Sequence, residues 1–312
     1  MDNVLRARIA LFGLVIWAYA IALPLPLLLG MKTDLAGLAI PGLLQVISVL
    51  AASYLCTRFG ALKLRATVET HFLGVLLVLP EALSIYSAAH LNMPWADLQL
   101  AAMDRALGWH WQRVIPWIDS NALLSKCLVY AYYSFGFQLL LLPIILSFSG
   151  NAARAYQMTI MFAVICFISG FISIWYPAVG TYSFYNFDPA TLKNLDPGTP
   201  TIFMDQLVGV RGDPSFVFNL DRMKGIVTFP SVHAASAVLC AWAAWGVKPI
   251  RYPALALNLL MGFSAAIVSN HYMADVIGGI GIAGFTLSLV LLVVRSGHGL
   301  SFRHLTPSVG DT

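Results

Sequence analysis

Eight apolar stretches, each close to the length that crosses a bilayer, leave this chain little choice but a bundle of membrane helices. They run at about 10–29, 35–54, 70–89, 122–147, 156–176, 230–247, 252–270 and 274–294, and about 20 apolar residues make a span. Hydrophobic residues make up 59% of the 312 and charged ones only 10%; the mean hydropathy of +0.78 lies far from that of a soluble domain. The first stretch is too long, and too promptly followed by the second, for a cleaved signal peptide, so we expect it to remain as a helix. The expected fold is all-α, a polytopic membrane protein with about eight transmembrane helices.

Orientation follows from the basic residues beside the short loops. Arg6 and Arg8, then Arg58, Lys63 and Arg65, then Arg154, then Lys248 and Arg251, then Arg295 and Arg303 all fall on one side. That side is expected to be cytosolic, with both termini in it. Asp34, Asp97, Asp104, Asp119, Asp188, Asp196, Asp205, Asp213 and Asp221 fall in the opposite segments. The net charge of +4 suits loops facing anionic lipid, and no basic run with interleaved aromatics points to a nucleic-acid partner. Cys56, Cys127, Cys166 and Cys240 lie in or at the ends of spans without paired spacing, so they read as apolar packers.

Two long loops face away from the cytosol on this reading. The first, about 90–121, carries Ala96, Leu100, Met103 and Leu107 on one helical stripe with Asp97 and Asp104 beside it. It predicts an interfacial amphipathic helix anchored by Trp95, Trp109, Trp111 and Trp117. The second, about 177–228, has no sustained period, and long ordered loops are usually functional. It leads into Phe229-Pro230-Ser231-Val232-His233, with Arg211, Arg222 and Lys224 as the nearby cations.

That string and a second one, His271-Tyr272-Met273-Ala274-Asp275, carry the chemistry. They open the sixth stretch and close the seventh, so both come out at the outer face. His271 and Asp275 are spaced i,i+4, so on a helix the carboxylate holds one imidazole nitrogen and leaves the other free. Pro230 is placed in a first helical turn with Ser231 and His233 just inside it, where free N–H groups and the helix dipole favour an anion such as phosphate. Two His and an Asp also allow a metal, but no fourth ligand or catalytic Glu stands at a fixed spacing, and we expect neither metal nor cofactor. Within the spans, Glu81 must be paired, protonated or facing water and has a place in a lipid cleft or between helices; Glu69 and His71 are expected to snorkel.

Pro230-Ser231-Val232-His233 resembles the Pro-Ser-Gly-His motif of the type 2 phosphatidic acid phosphatase superfamily, and His271 with Asp275 resembles the end of its last motif. The resemblance spans about 170–285. It implies a six-helix phosphatase-like core over 67–312, with two added helices in 1–66. The family's first motif, a Lys followed six residues later by Arg-Pro, has no counterpart at Trp175-Tyr176-Pro177-Ala178-Val179-Gly180-Thr181-Tyr182, and its Ser-Arg is Ser264-Ala265 here. These departures resemble the branch that holds inositol phosphorylceramide synthase and sphingomyelin synthase, which move a phospho-headgroup between lipids.

Phosphoryl transfer needs a nucleophile in line, a proton donor for the leaving oxygen and positive charge on the equatorial oxygens. His271 fits the nucleophile, Asp275 its orienting partner and His233 the acid and then the base. Ser231, Arg222 and Lys224 are expected to hold phosphate, with Asn270 and Tyr272 flanking the nucleophile. The expected activity is lipid phosphatase or phospho-headgroup transferase on a phospholipid or polyprenyl phosphate, through a phosphohistidine, in the cell membrane. The missing arginines favour a phosphodiester headgroup, which carries less charge than a monoester. The rival is a transporter whose Glu81, His233, His271 and Asp275 form a proton or ion path; it would favour an inverted repeat, and none is visible.

Overall fold

The computed structural model describes residues 3–195 and 202–296; Asp196 and Arg303, used above for orientation, lie outside them. In chain order the helices are α1 (Asn3–Ala22), α2 (Pro24–Leu29), α3 (Ala39–Arg58), α4 (Leu62–His90), α5 (Asp97–Ala106), α6 (Trp111–Asp119), α7 (Ala122–Phe148), α8 (Ala152–Ile172), α9 (Thr181–Phe184), α10 (Met204–Gly212), α11 (Val232–Ala244), α12 (Arg251–Val268) and α13 (Met273–Ser296). Seven helical stretches among the described residues are long and apolar enough to cross a membrane. The protein is a mostly α-helical, polytopic membrane protein. The expected sixth stretch, 230–247, forms only the 13 residues of α11, about 20 Å of helix. The chain turns out of it after Ala244 and tightens into a 3₁₀ turn at Lys248–Ile250.

The bundle is built around α8, which packs against α1, α4, α7, α11 and α13. Ala155, Tyr156, Met161, Ala163 and Ile165 of α8 are buried among Leu73, Leu77, Ala235, Leu239 and Ala283. Small residues let the helices close up: a Cβ on Gly279 of α13 would stand 2.2 Å from the Ser231 carbonyl oxygen. By contrast, α3 leans on α4 and exposes Ile40, Leu43, Leu44 and Ile47, as a lipid-facing helix does.

Two interior features tie α1 to α4. Pro80 has no N–H to offer the Leu76 carbonyl one turn back, and the Tyr19 hydroxyl donates to that carbonyl instead, at 2.8 Å. Glu69 does not snorkel, as the sequence led us to expect. It is fully buried and accepts from Arg8 Nε at 2.9 and 2.8 Å, from Tyr156 at 2.6 Å and from the Ser53 hydroxyl. A buried carboxylate persists only when so surrounded. His71 is likewise turned inward, its two ring nitrogens lying against the Thr67 and Leu140 carbonyls at 2.8 and 2.7 Å.

The 90–121 loop differs from its expected form in two ways. It makes two helices, α5 and α6, and the buried face of α5 carries Asp97, Leu100, Ala101 and Asp104, while Met103 and Leu107 are exposed. The acids point inward because they have backbone N–H groups to meet there. Trp117 is exposed as an anchor would be, but Trp111 is 1% exposed and packs among Tyr182, Tyr185 and Phe187. Between α2 and the long second loop runs a two-residue parallel pairing, Thr33–Asp34 (β1) with Phe218–Asn219 (β2).

Candidate active site

His271 and Asp275 meet, though not as neighbours on one helix. The α13 helix begins at Met273, so Tyr272 is its N-cap residue and Asp275 stands at the third helical position. From there Asp275 Oδ2 accepts the Tyr272 backbone N–H at 2.8 Å, the back-reaching half of a capping box. The same oxygen lies 3.2 Å from His271 Nδ1. Asp275 is fully buried, and its Oδ1 has no hydrogen-bond partner among the described residues.

The next two N–H groups of α13 are taken by a distant residue. Asp104 of α5 accepts from Met273 at 3.1 Å and Ala274 at 2.8 Å, one through each oxygen. Two turns back, Asp97 accepts from the Val179 and Gly180 N–H groups at 3.1 and 3.0 Å and from the Tyr272 hydroxyl at 2.8 Å. Burial pushes both carboxyls above the usual carboxylate range, against the pull of these hydrogen bonds. The helix read as an interfacial float is therefore a clamp on the segment that holds His271. Asn270 completes the clamp, accepting from Tyr182 N–H at 2.8 Å and donating to Val179 O at 2.7 Å. Gly180 is required there: its φ is +85°, and a Cβ would lie 2.3 Å from the Asn270 carbonyl oxygen.

On the facing helix the sequence placed Pro230 one step too deep. The α11 helix starts at Val232 with Ser231 as N-cap, its hydroxyl accepting from Ala234 N–H at 3.3 Å. Pro230 precedes the cap, joined to Phe229 by a cis peptide bond. Ser231 N–H donates to the Asp275 carbonyl at 3.0 Å, which binds the two strings directly. His233 sits in the first turn of α11, stacked on Tyr132 with centroids 4.3 Å apart and planes at 10°, and flanked by Phe135 at 4.5 Å. Both aromatics come from α7, so four elements fix the two histidines.

His233 and His271 line one cavity of about 420 Å³. Asn270 and Lys224 line it too, whereas Ser231, Tyr272, Asp275 and Arg222 do not. Lys224 and Arg222 are both exposed, yet of the two only Lys224 lines the cavity, its backbone N–H held by the Tyr86 hydroxyl at 3.0 Å. Arg211 is employed elsewhere: its guanidinium donates to Met93 O at 2.6 Å and lies 3.6 Å over the Trp95 ring. Glu81 joins the cavity from α4, hydrogen-bonded to Cys166, which also lines it. Among the described residues no group of three or more His, Cys, Asp or Glu is arranged to hold a metal ion.

The residues that sequence reasoning missed are the supports: Tyr86, Tyr132, Gly180 and the inward acids of α5. The arrangement offers an imidazole held by a buried carboxylate and a second imidazole lining the same cavity. Set beside known proteins, the chain matches the family model described as the PAP2 superfamily over residues 98–289. No curated protein and no solved structure matches it.

Proposed function

We propose that this chain, which belongs to the PAP2 superfamily, is a lipid phosphatase or phospho-headgroup transferase working through a phosphohistidine on His271. The observation that carries the reading is the His271–Asp275 contact beside a cavity that His233 also lines. With Nδ1 engaged by a buried carboxylate, Nε2 is the nitrogen left for phosphorus. In the first step the P–Nε2 bond forms as the bond from phosphorus to the leaving oxygen breaks, and His233 gives that oxygen its proton. In the second, His233 takes a proton from water or from an acceptor hydroxyl, whose oxygen attacks phosphorus and frees Nε2. In this reading Lys224, which lines the cavity, is the cation that neutralises phosphate oxygens. Ser231 and Tyr272 act behind the cavity, through the start of each helix, and Asn270 at its wall. The reading needs no metal.

The basic clusters beside the short loops support a site on the outer face of the cell membrane with cytosolic termini. The six helices of 67–312 form the catalytic core in this reading, and 1–66 the addition. The phosphodiester-bearing substrate of the inositol phosphorylceramide and sphingomyelin synthase branch is the finer expectation, supported by the missing arginines at Ser264-Ala265 and before Thr181. The test is purified protein with a panel of phospholipids and polyprenyl phosphates, following free phosphate and new headgroup-bearing lipids together. Release or transfer that His271→Ala and His233→Ala both abolish supports the reading. Turnover that survives either substitution removes that residue from it.

A further inference from the structure

We propose that the groove between α4, α7 and α8 is the binding site for the hydrocarbon chain of the substrate, and that it accepts a chain longer than one leaflet. The inference rests on the reading above that the histidine cavity handles a lipid phosphate. A second cavity, of about 260 Å³, lies along these three helices. It shares Val78, Leu139 and Phe162 with the histidine cavity as lining residues, so the two adjoin. Val75 and Leu140, on its lips, are exposed, so the groove opens sideways to the bilayer.

Depth distinguishes this groove from an ordinary furrow. From Ile85, beside the histidines, to Thr70 at its far end the α4 helix advances about 22 Å. One leaflet of hydrocarbon is about 15 Å thick. The polar residues at that end have partners in the protein: Thr70 donates to the Ala66 carbonyl, and the ring nitrogens of His71 lie 2.8 and 2.7 Å from the Thr67 and Leu140 carbonyls, so that whichever carries the N–H has an acceptor. Thr159 of α8 also lines it, its hydroxyl donating to the Ala155 carbonyl at 3.3 Å, and the remaining walls are apolar or glycine. Gly136 contributes width, since a Cβ there would meet nothing within 4 Å. Lipid tails are as apolar as the groove, so no hydrophobic gain draws a chain in. What commits the occupant is the adjacency: a lipid whose phosphate lies between His233 and His271 has this groove next to it for its chain.

Two measurements test it. In the first, Gly136→Trp is compared with wild type on short and long members of two series, farnesyl against undecaprenyl phosphate and dioctanoyl against dioleoyl phosphatidic acid. Filling the groove should lower the ratio of long-chain to short-chain kcat/KM about tenfold, since a long chain then forfeits its van der Waals packing against the groove walls. The series that shows the fall identifies the chain as isoprenoid or acyl, and an unchanged ratio in both overturns the proposal. In the second, wild-type protein in vesicles is irradiated with undecaprenyl and dioleoyl lipid phosphates carrying a photoreactive group at the chain end. Crosslinks should map to the α4 and α7 residues lining the groove's far end, and label confined to other helices overturns the inference. Crosslinking there without turnover leaves the groove standing and sinks the phosphatase or transferase reading.

Discussion

If α5 is a clamp on the nucleophile, replacing Asp104 by Asn should damage the protein in a way its small chemical change would not otherwise suggest. Asp104 is fully buried, and its two oxygens accept the first two N–H groups of α13. Asn keeps the volume and one acceptor, but turns an amide N–H against the second backbone N–H. One buried donor is then unpaired, at about 1–3 kcal/mol. The negative charge at the helix N-terminus also goes, worth roughly 0.3–2 kcal/mol. A cost of about 2–4 kcal/mol follows, concentrated on the turn that begins two residues after His271. Part should appear as a melting temperature in detergent lowered by several degrees. The rest should appear as a displaced imidazole, and a displacement of about 1 Å lowers turnover about 10²-fold. The assay is kcat and KM on the lipid identified by the panel, alongside a melting curve. A variant with wild-type melting and wild-type kcat would refute the reasoning, because the start of α13 would then be held without Asp104.

Other expectations follow from the same geometry. Lys224→Gln should lower kcat about 10²- to 10³-fold if its ammonium meets the phosphate, while Arg222→Gln, outside the cavity, should leave saturated turnover within a factor of two or so; equal effects of the two would remove Lys224 from the site. Glu69→Ala strands Arg8 and the Tyr156 hydroxyl, and should destabilise the bundle by about 3–5 kcal/mol, read as a lowered melting temperature; an unchanged curve means α1 is held by packing alone. Gly180→Ala forces a backbone that side chains rarely adopt and a contact with the Asn270 carbonyl, costing about 1–3 kcal/mol in backbone strain alone. Its kcat should fall with KM little changed, and normal kcat would show that the 177–182 segment does not position His271. Exhaustive chelation should leave activity intact, and loss restored by zinc or magnesium would contradict the two-histidine mechanism.

The apolar runs made most of the helices legible, because a backbone in lipid has few other ways to satisfy its N–H and C=O groups. His271 and Asp275 were legible as partners too, although the contact runs from the residue before the N-cap to the third helical position and not along one helical face. Pairings across long stretches of sequence were not legible. Asp97 and Asp104 looked like the wet edge of an amphipathic helix because their partners at 179–180 and 272–274 leave no trace in the local period. Tyr19 reaches the Leu76 carbonyl that Pro80 leaves free only once α1 lies on α4, and a two-residue strand such as β1 has no period to read. Proximity in sequence also misled: Arg222 and Lys224 are near neighbours, yet only the second lines the cavity.

The claim on which most depends is that His271 accepts phosphorus. Protein incubated with a lipid phosphate substrate radiolabelled on phosphorus, quenched in alkali where phosphohistidine survives, and digested for peptide mapping should carry label on His271. The label should be absent from His271→Ala and should accumulate in His233→Ala supplied with a substrate whose leaving group needs no proton. Label on His233 in the wild type, or turnover with no covalent label under conditions that trap label on a known phosphohistidine enzyme, would contradict it.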